Sequence, residues 1–474
     1  MVVSFAAALP FKLAAARGWP SGMKIGEPND DAHRVGEGTS DDARLVSIGS
    51  RRRPAISGAG LAFGLTRPSI VVLLCAGTLM HLGYVVVQAA SRTRLWDFSH
   101  YYVSALAMRE GLDPYAIDLR PLGQQIGLDG IARATDTPFF ILCFEPLTLL
   151  GPTAAYWVWF ALNAAALILA MVLIMRSAAR LNRRQVISLC AIMLLYPPLS
   201  NHIFFAQTQI VVLLLVVIAM RSLESGHERT AGAAIAVANL LKVFPLLIAG
   251  YFLVRRRWRA CVWTVAGLLA GGALTILAFG IERNTSFVAG TYLTRSAAFL
   301  ARPANIALGS FVSRLFWYAA GTVALGPALE WMRMLTVVAA EFSLIALTVF
   351  ATWPRADGVC EQPAHIVGIG SRGFAVWVAA AIMLSPTAWI HYMVLLILPF
   401  MLIAAAGWSG KASPRALWLM AGSYAVITLS TALASGAQNS LVEHAGLKAA
   451  IEECATLSLM LAYAATWFFA IDAP

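Results

Sequence analysis

Between residues 69 and 471 the chain is a succession of apolar runs that no water-soluble fold can accommodate. The first, residues 69–90, supplies about twenty apolar residues, enough for a ~30 Å hydrocarbon core. Others follow at 153–175, 185–199, 205–220, 231–253, 260–281, 334–353, 373–389, 392–407, 415–434 and 450–471, with shorter ones at 138–151 and 305–326. Hydrophobic residues make up 59% of the 474 and charged ones 12%, about half the charged share of a soluble domain, which excludes a cytosolic enzyme. Lipid leaves only helices or closed barrels as spanning structures, and these runs lack a barrel's alternation. An all-α polytopic bundle of about 10–12 membrane helices is therefore expected.

The formal net charge of +11 would point to nucleic acid in a soluble domain. Here the basic residues form short clusters between apolar runs, where they set membrane orientation, so no nucleic-acid partner is expected. Six cysteines, at 75, 143, 190, 261, 360 and 454, stand singly without C-x-x-C spacing, and they read as small core residues rather than a disulfide framework or zinc site. Residues 1–68 lack sustained apolar periodicity and read as a disordered, basic cytoplasmic tail. Residues 69–474 form the membrane domain, with a first outer loop at 91–137.

Lysine and arginine beside spans accumulate on the cytoplasmic side. Three clusters set the orientation: Arg51, Arg52 and Arg53; then Arg176, Arg180, Arg183 and Arg184; then Arg255, Arg256, Arg257 and Arg259. With all three inside, the run 231–253 lies between a cytoplasmic loop containing Arg221 and Arg229 and the cytoplasmic cluster at 255–259, so it begins and ends on one side. Its middle, Asn239-Leu240-Leu241-Lys242-Val243-Phe244-Pro245, is a polar break, which predicts a re-entrant hairpin with its turn at membrane depth. A kinked single span is the alternative.

Under that topology the polar interruptions fall largely on the outer side. In the first loop, Phe98, Tyr101, Tyr102, Ala105 and Met108 recur at three and four, as in an amphipathic helix at the interface. Asp97 opens that helix, where an N-cap carboxylate is also expected on structural grounds alone. Further breaks are Asn201-His202, Gln207-Thr208-Gln209, Ser385-Pro386-Thr387-Ala388-Trp389-Ile390-His391-Tyr392, and Arg302 with Asn305, Ser310 and Arg314. Each alone fits a helix-end hydrogen-bonding device or a snorkelling side chain, but four on one side offer a base, polar partners and cations for a phosphate.

The pattern from Asp97 to Tyr102, followed by Gly111-Leu112-Asp113-Pro114-Tyr115, resembles the first-loop signature of GT-C glycosyltransferases of family 87. Pieces resembling that family follow in order over residues 69–407: Phe205 to Gln209, Leu241 to Pro245, Asn305 through Ser310 to Arg314, and Ser385 to Tyr392. The chain departs from the family where it has Ala206-Gln207 instead of a Gly-Gln pair, Thr137-Pro138-Phe139-Phe140 instead of Tyr-Pro-Pro, and a single His391 followed by Tyr392 instead of a His pair.

The resemblance implies a cell-membrane enzyme that moves a sugar, mannose above all, from a polyprenyl-phosphate carrier to a glycolipid or polysaccharide acceptor on the outer face. Inversion at the anomeric carbon would use Asp97 as base, with His391 as a hydrogen-bonding partner. Arg302 and Arg314 would hold the departing phosphate, and Tyr101, Tyr102, Gln207, Gln209, Lys242 and Asn305 would complete the substrate site. No Asp-x-Asp is present to hold a metal for a nucleotide sugar, so no metal and no cofactor are expected. A transporter or flippase of lipid-linked sugars is the alternative; a transporter would be expected to show two similar halves, and no internal repeat is evident.

Overall fold

The computed structural model describes residues 65–90, 96–128, 132–177, 181–293, 299–300, 302, 304–321, 323–354, 369–437 and 445–472. The tail expected over 1–68 lies outside them up to residue 64. Among the described residues every regular element is helical. Seven helices are long and apolar enough to cross a membrane: Pro68–Val87, Pro152–Ser177, Trp258–Tyr292, Pro327–Thr352, Ile390–Trp408, Pro414–Leu433 and Glu453–Ile471. An eighth candidate is the pair Arg183–Leu194 and Pro197–Phe205, bent by 53°, and shorter apolar helices occupy Pro138–Leu149, Phe244–Val254 and Gly370–Met383. This is the build of a multi-pass membrane bundle.

Several runs expected as spans are thus short or broken, for local reasons. Pro197 and Pro198 lack amide protons, and Tyr196 before them is extended (ψ 117°), so the run 185–199 bends there. The next helix ends at Ala206, whose φ of 53° lies in the left-handed region that alanine seldom occupies. A glycine would take that conformation without strain, which gives the glycine expected at this position a physical reason.

The segment 231–253 turns back at the polar break. Helix Glu228–Leu241 stops at Lys242, which is extended (φ −146°, ψ 130°), and the chain continues as a 3-10 turn, Phe244–Ile248, and a short helix, Ala249–Val254. Helix Trp258–Ser286 then packs parallel to Glu228–Leu241. A methyl group at Gly232 would stand 2.2 Å from the Ala260 carbonyl oxygen, one at Gly267 2.6 Å from Ala236 Cβ, and one at Gly271 2.2 Å from Leu240 Cδ1. Both sequences ascend together through these contacts, so the two helices start at the same level. Arg257 pairs with Glu228 at 3.4 Å and Arg229 lies over the Trp263 ring, which closes the base of the hairpin. Fourteen residues of helix rise about 21 Å, short of a ~30 Å core, so the turn at Lys242 stays at membrane depth. In a cysteine-free background, His227→Cys and Trp258→Cys should respond alike to a membrane-impermeant thiol reagent, and Ala116→Cys oppositely. Different labelling at 227 and 258 would show a single crossing.

The helix expected in the first loop is present as Trp96–Arg109, but protein rather than a bilayer surface encloses it. Phe98, Ser99 and every residue from Tyr101 to Met108 are buried, packed on Pro138–Phe144 and Glu145–Leu149. Phe98, Ser99, Tyr101 and Tyr102 of the first-loop signature, with Pro114 and Tyr115, are therefore part of the core, whereas Gly111 and Leu112 are exposed.

Candidate active site

Seven chain segments converge on one cavity of about 610 Å³, within the roughly 300–1,000 Å³ of small-molecule sites, one of them the stretch Thr135-Asp136-Thr137. Asp97 and Tyr101 reach it from the first-loop helix, Gln207 from the turn after Ala206, Lys242 from the hairpin tip, and His391 from the start of Ile390–Trp408. Arg302 lines it from the loop before helix Leu308–Ala320. A further segment is the end of the helix that begins at Trp258. Gly280 (φ 80°, ψ 164°) kinks it, and the π-helical stretch Phe287–Leu293 lies against the cavity with Phe287, Thr291 and Tyr292. Arg283 ties this stretch to the first loop by donating to the Gly111 carbonyl.

Asp97 sits in the first turn of its helix, and its carboxylate is held by a tertiary bond. Gln207 Nε2 donates to Asp97 Oδ2, the Gln207 Oε1 accepts from the Tyr101 hydroxyl at 2.6 Å, and Thr208 Oγ1 donates to that hydroxyl at 3.3 Å. The donors all run one way and end on the carboxylate, which fixes the amide orientation of Gln207. Trp159 Nε1, 2.8 Å from the Ala206 carbonyl, holds the strained turn that presents Gln207. Burial pushes the Asp97 carboxyl up to about 6; the Gln207 bond and the Lys242 charge oppose the rise, and the Asp136 charge adds to it.

Lys242 is paired with a residue that sequence reasoning did not single out. Its Nζ lies 2.9 Å from Asp136 Oδ1, and 5.6 Å and 6.0 Å from the ring centres of Tyr101 and Phe140. The signal was available: a lysine at membrane depth requires a carboxylate, and Asp136 directly precedes the Thr-Pro that caps helix Pro138–Phe144. His391, also at the cavity wall, lies with its ring centre 6.4 Å from that of Phe205 and 5.2 Å from that of Tyr392.

Four expected site residues stand outside the cavity lining. The Tyr102 hydroxyl donates to the Leu150 carbonyl at 2.7 Å, and Gln209 is fully buried at the start of helix Gln209–Glu224. Asn305 joins two walls instead of facing substrate: its Oδ1 accepts from Ala388 and Ala307 amides at 2.9 and 3.2 Å, and its Nδ2 donates to the Pro386 and Phe299 carbonyls. Arg314, expected at the phosphate, is 1% exposed with its guanidinium fully engaged. Glu453 takes Nε and Nη2 at 2.5 and 2.8 Å, while Nη1 donates to Ser310 Oγ and to the carbonyls of Asn305 and Arg302. It holds in place the loop that carries Arg302. The Arg302 guanidinium lies 4.9 Å from the Phe299 ring centre, at the cavity wall.

A multi-pass helical bundle with two carboxylates, one of them paired with a lysine, a guanidinium and an imidazole around one cavity is equipped for group transfer to a hydroxyl at a membrane. The family model described as Glycosyltransferase family 87 matches residues 135–369. That stretch, just under half of the chain, places the protein with the family 87 glycosyltransferases and supports a membrane glycosyltransferase. The matched stretch contains Asp136, Gln207, Lys242 and Arg302; Asp97 and His391 lie on either side of it. No curated protein matches the chain.

Proposed function

We propose that this glycosyltransferase moves a hexose, with mannose as the first candidate, from a polyprenyl-phosphate carrier to a hydroxyl of a glycolipid or polysaccharide on the outer face of the cell membrane. The observation that carries this reading is the sharing of one cavity by Asp97 and Arg302, a base and a guanidinium fork that lies against the Phe299 ring. The acceptor oxygen attacks the anomeric carbon in line, its proton passes to Asp97, and the bond from the anomeric carbon to the phosphate oxygen breaks. Polyprenyl phosphate leaves with the electron pair, and inversion results. Arg302 can meet the phosphate with two parallel hydrogen bonds, which supports it over Arg314 for this role. His391 can hydrogen-bond the acceptor or the phosphate. Asp136 is engaged as the counter-ion of Lys242, which favours Asp97 as the base.

A base buried to a pKa near 6 is matched to proton transfer near neutral pH. Only the ionised carboxylate accepts a proton, so activity is lost as pH falls through the folded-state value. Transfer from a labelled polyprenyl phosphohexose should fall about tenfold per unit below roughly pH 6 and level off above it. An ordinary aspartate would place that limb near pH 4. Release of polyprenyl phosphate is the readout; a flippase would relocate the labelled lipid without cleaving it.

A further inference from the structure

The two oxygens of the Asp136 carboxylate have different surroundings. Oδ1 accepts from Lys242, whereas Oδ2 has no hydrogen-bond partner among the described residues, in a residue only 3% exposed. Native structures rarely leave a buried charged acceptor open unless water or a ligand completes it. The backbone around it is clamped. The Tyr115 hydroxyl donates to the Asp136 carbonyl at 2.8 Å, and Thr137 accepts from the Phe140 amide while donating to the Leu240 carbonyl. These clamps keep Asp136 in the cavity wall, where Thr135 and Thr137 flank it.

The chemistry of the open position favours a neutral donor. Lys242 already balances the Asp136 charge, so a second cation is not required, and a phosphate would meet a carboxylate. A hydroxyl satisfies the remaining oxygen with a charge-assisted bond at no change in net charge. Asp97, Lys242 and Asp136 line the same cavity, so a sugar whose anomeric carbon is attacked beside Asp97 has this pair in the wall around it.

We infer that Asp136 Oδ2 accepts a hydrogen bond from a ring hydroxyl of the transferred hexose, so that Asp136 is a specificity-determining residue of the donor site. The inference rests on the transfer reading above. A site built to hydrogen-bond a hydroxyl discriminates strongly against an analogue lacking it, because its own polar group is then left unpaired.

The test pairs Asp136→Asn with a series of polyprenyl phosphohexoses, each lacking one ring hydroxyl, measured as kcat/KM in purified protein. In the wild type one deoxy donor should be poorer than its parent by about 10- to 100-fold. In Asp136→Asn the parent donor should fall by a comparable factor, with that deoxy donor little affected further, so the two losses do not add. Equal losses with every donor would assign Asp136 a purely structural role, and coupling to a deoxy acceptor would place the hydroxyl on the other substrate; either result overturns the inference. So does a wild type indifferent to every hydroxyl. Should Asp136→Asn not accumulate, Asp136→Glu keeps the charge opposite Lys242 and shifts the second oxygen by one methylene, and the same comparison applies. Absence of turnover with every parent donor overturns the transfer reading itself, and is seen before any deoxy donor is used.

Discussion

Asp97→Asn should lower transfer by about two to four orders of magnitude while leaving yield and thermal stability near wild type. The substitution isolates the proton-accepting function because, among the described residues, the carboxylate's one further duty is accepting from Gln207 Nε2. An asparagine Oδ1 accepts that bond equally well, so the Thr208, Tyr101 and Gln207 chain survives. Asparagine is also as good a residue at a helix start as aspartate, which separates the base from a cap. Donor binding should be retained, and the acidic limb near pH 6 should vanish from the residual activity. The assay is release of labelled polyprenyl phosphate in membranes containing the variant. Near-wild-type turnover would end the assignment and turn attention to His391, which lines the same cavity.

Lys242→Met should be the more damaging change to the fold. It leaves Asp136, 3% exposed, as an unpaired buried carboxylate, and removing one partner of a buried ion pair costs about 3–5 kcal/mol. The Lys242 side chain keeps 16% of its surface exposed, so the lower end of that range applies. Reduced yield and a lower Tm in detergent are the expected result. Replacing the pair together, with Asp136→Leu and Lys242→Met, should recover much of the stability but not the activity, because apolar residues of similar volume tolerate the site without a stranded charge. A double variant no more stable than Lys242→Met would mean that the cost lies in the ring contacts with Tyr101 and Phe140. Any residual transfer in Lys242→Met should show its acidic limb at higher pH than wild type. The ammonium favours the ionised form of Asp97, and its removal raises that pKa further.

The amino-acid sequence was sufficient for whatever depends on local pattern. Apolar runs of bilayer length require helices, since each buried amide must find its partner within its own segment, and this alone leads to the bundle. The hairpin was also legible: Arg229 before and Arg255 to Arg259 after 231–253 and the Lys242 to Pro245 break act locally, and the parallel packing at Gly232, Gly267 and Gly271 has the geometry they imply. Of the residues of the cavity wall, Gln207, Lys242, Arg302 and His391 stand at polar breaks between apolar runs and were visible for that reason, Asp97 stood at the start of the loop helix, Tyr101 entered through the family resemblance, and Asp136 was not singled out.

What tertiary structure alone decided is which polar residue faces the cavity and which is consumed by a partner. Arg302 and Arg314 are the same residue type twelve positions apart, and nothing local distinguishes them. Glu453, 139 residues beyond Arg314, takes that guanidinium and leaves Arg302 at the wall. Lys242 and Asp136 are likewise joined across 106 residues, and the side chain of Tyr102 turns to a backbone carbonyl while its neighbour Tyr101 turns to Gln207. In an apolar interior every charge and hydroxyl must find a complementary group, and which one is within reach depends on how distant helices pack, which no local pattern encodes.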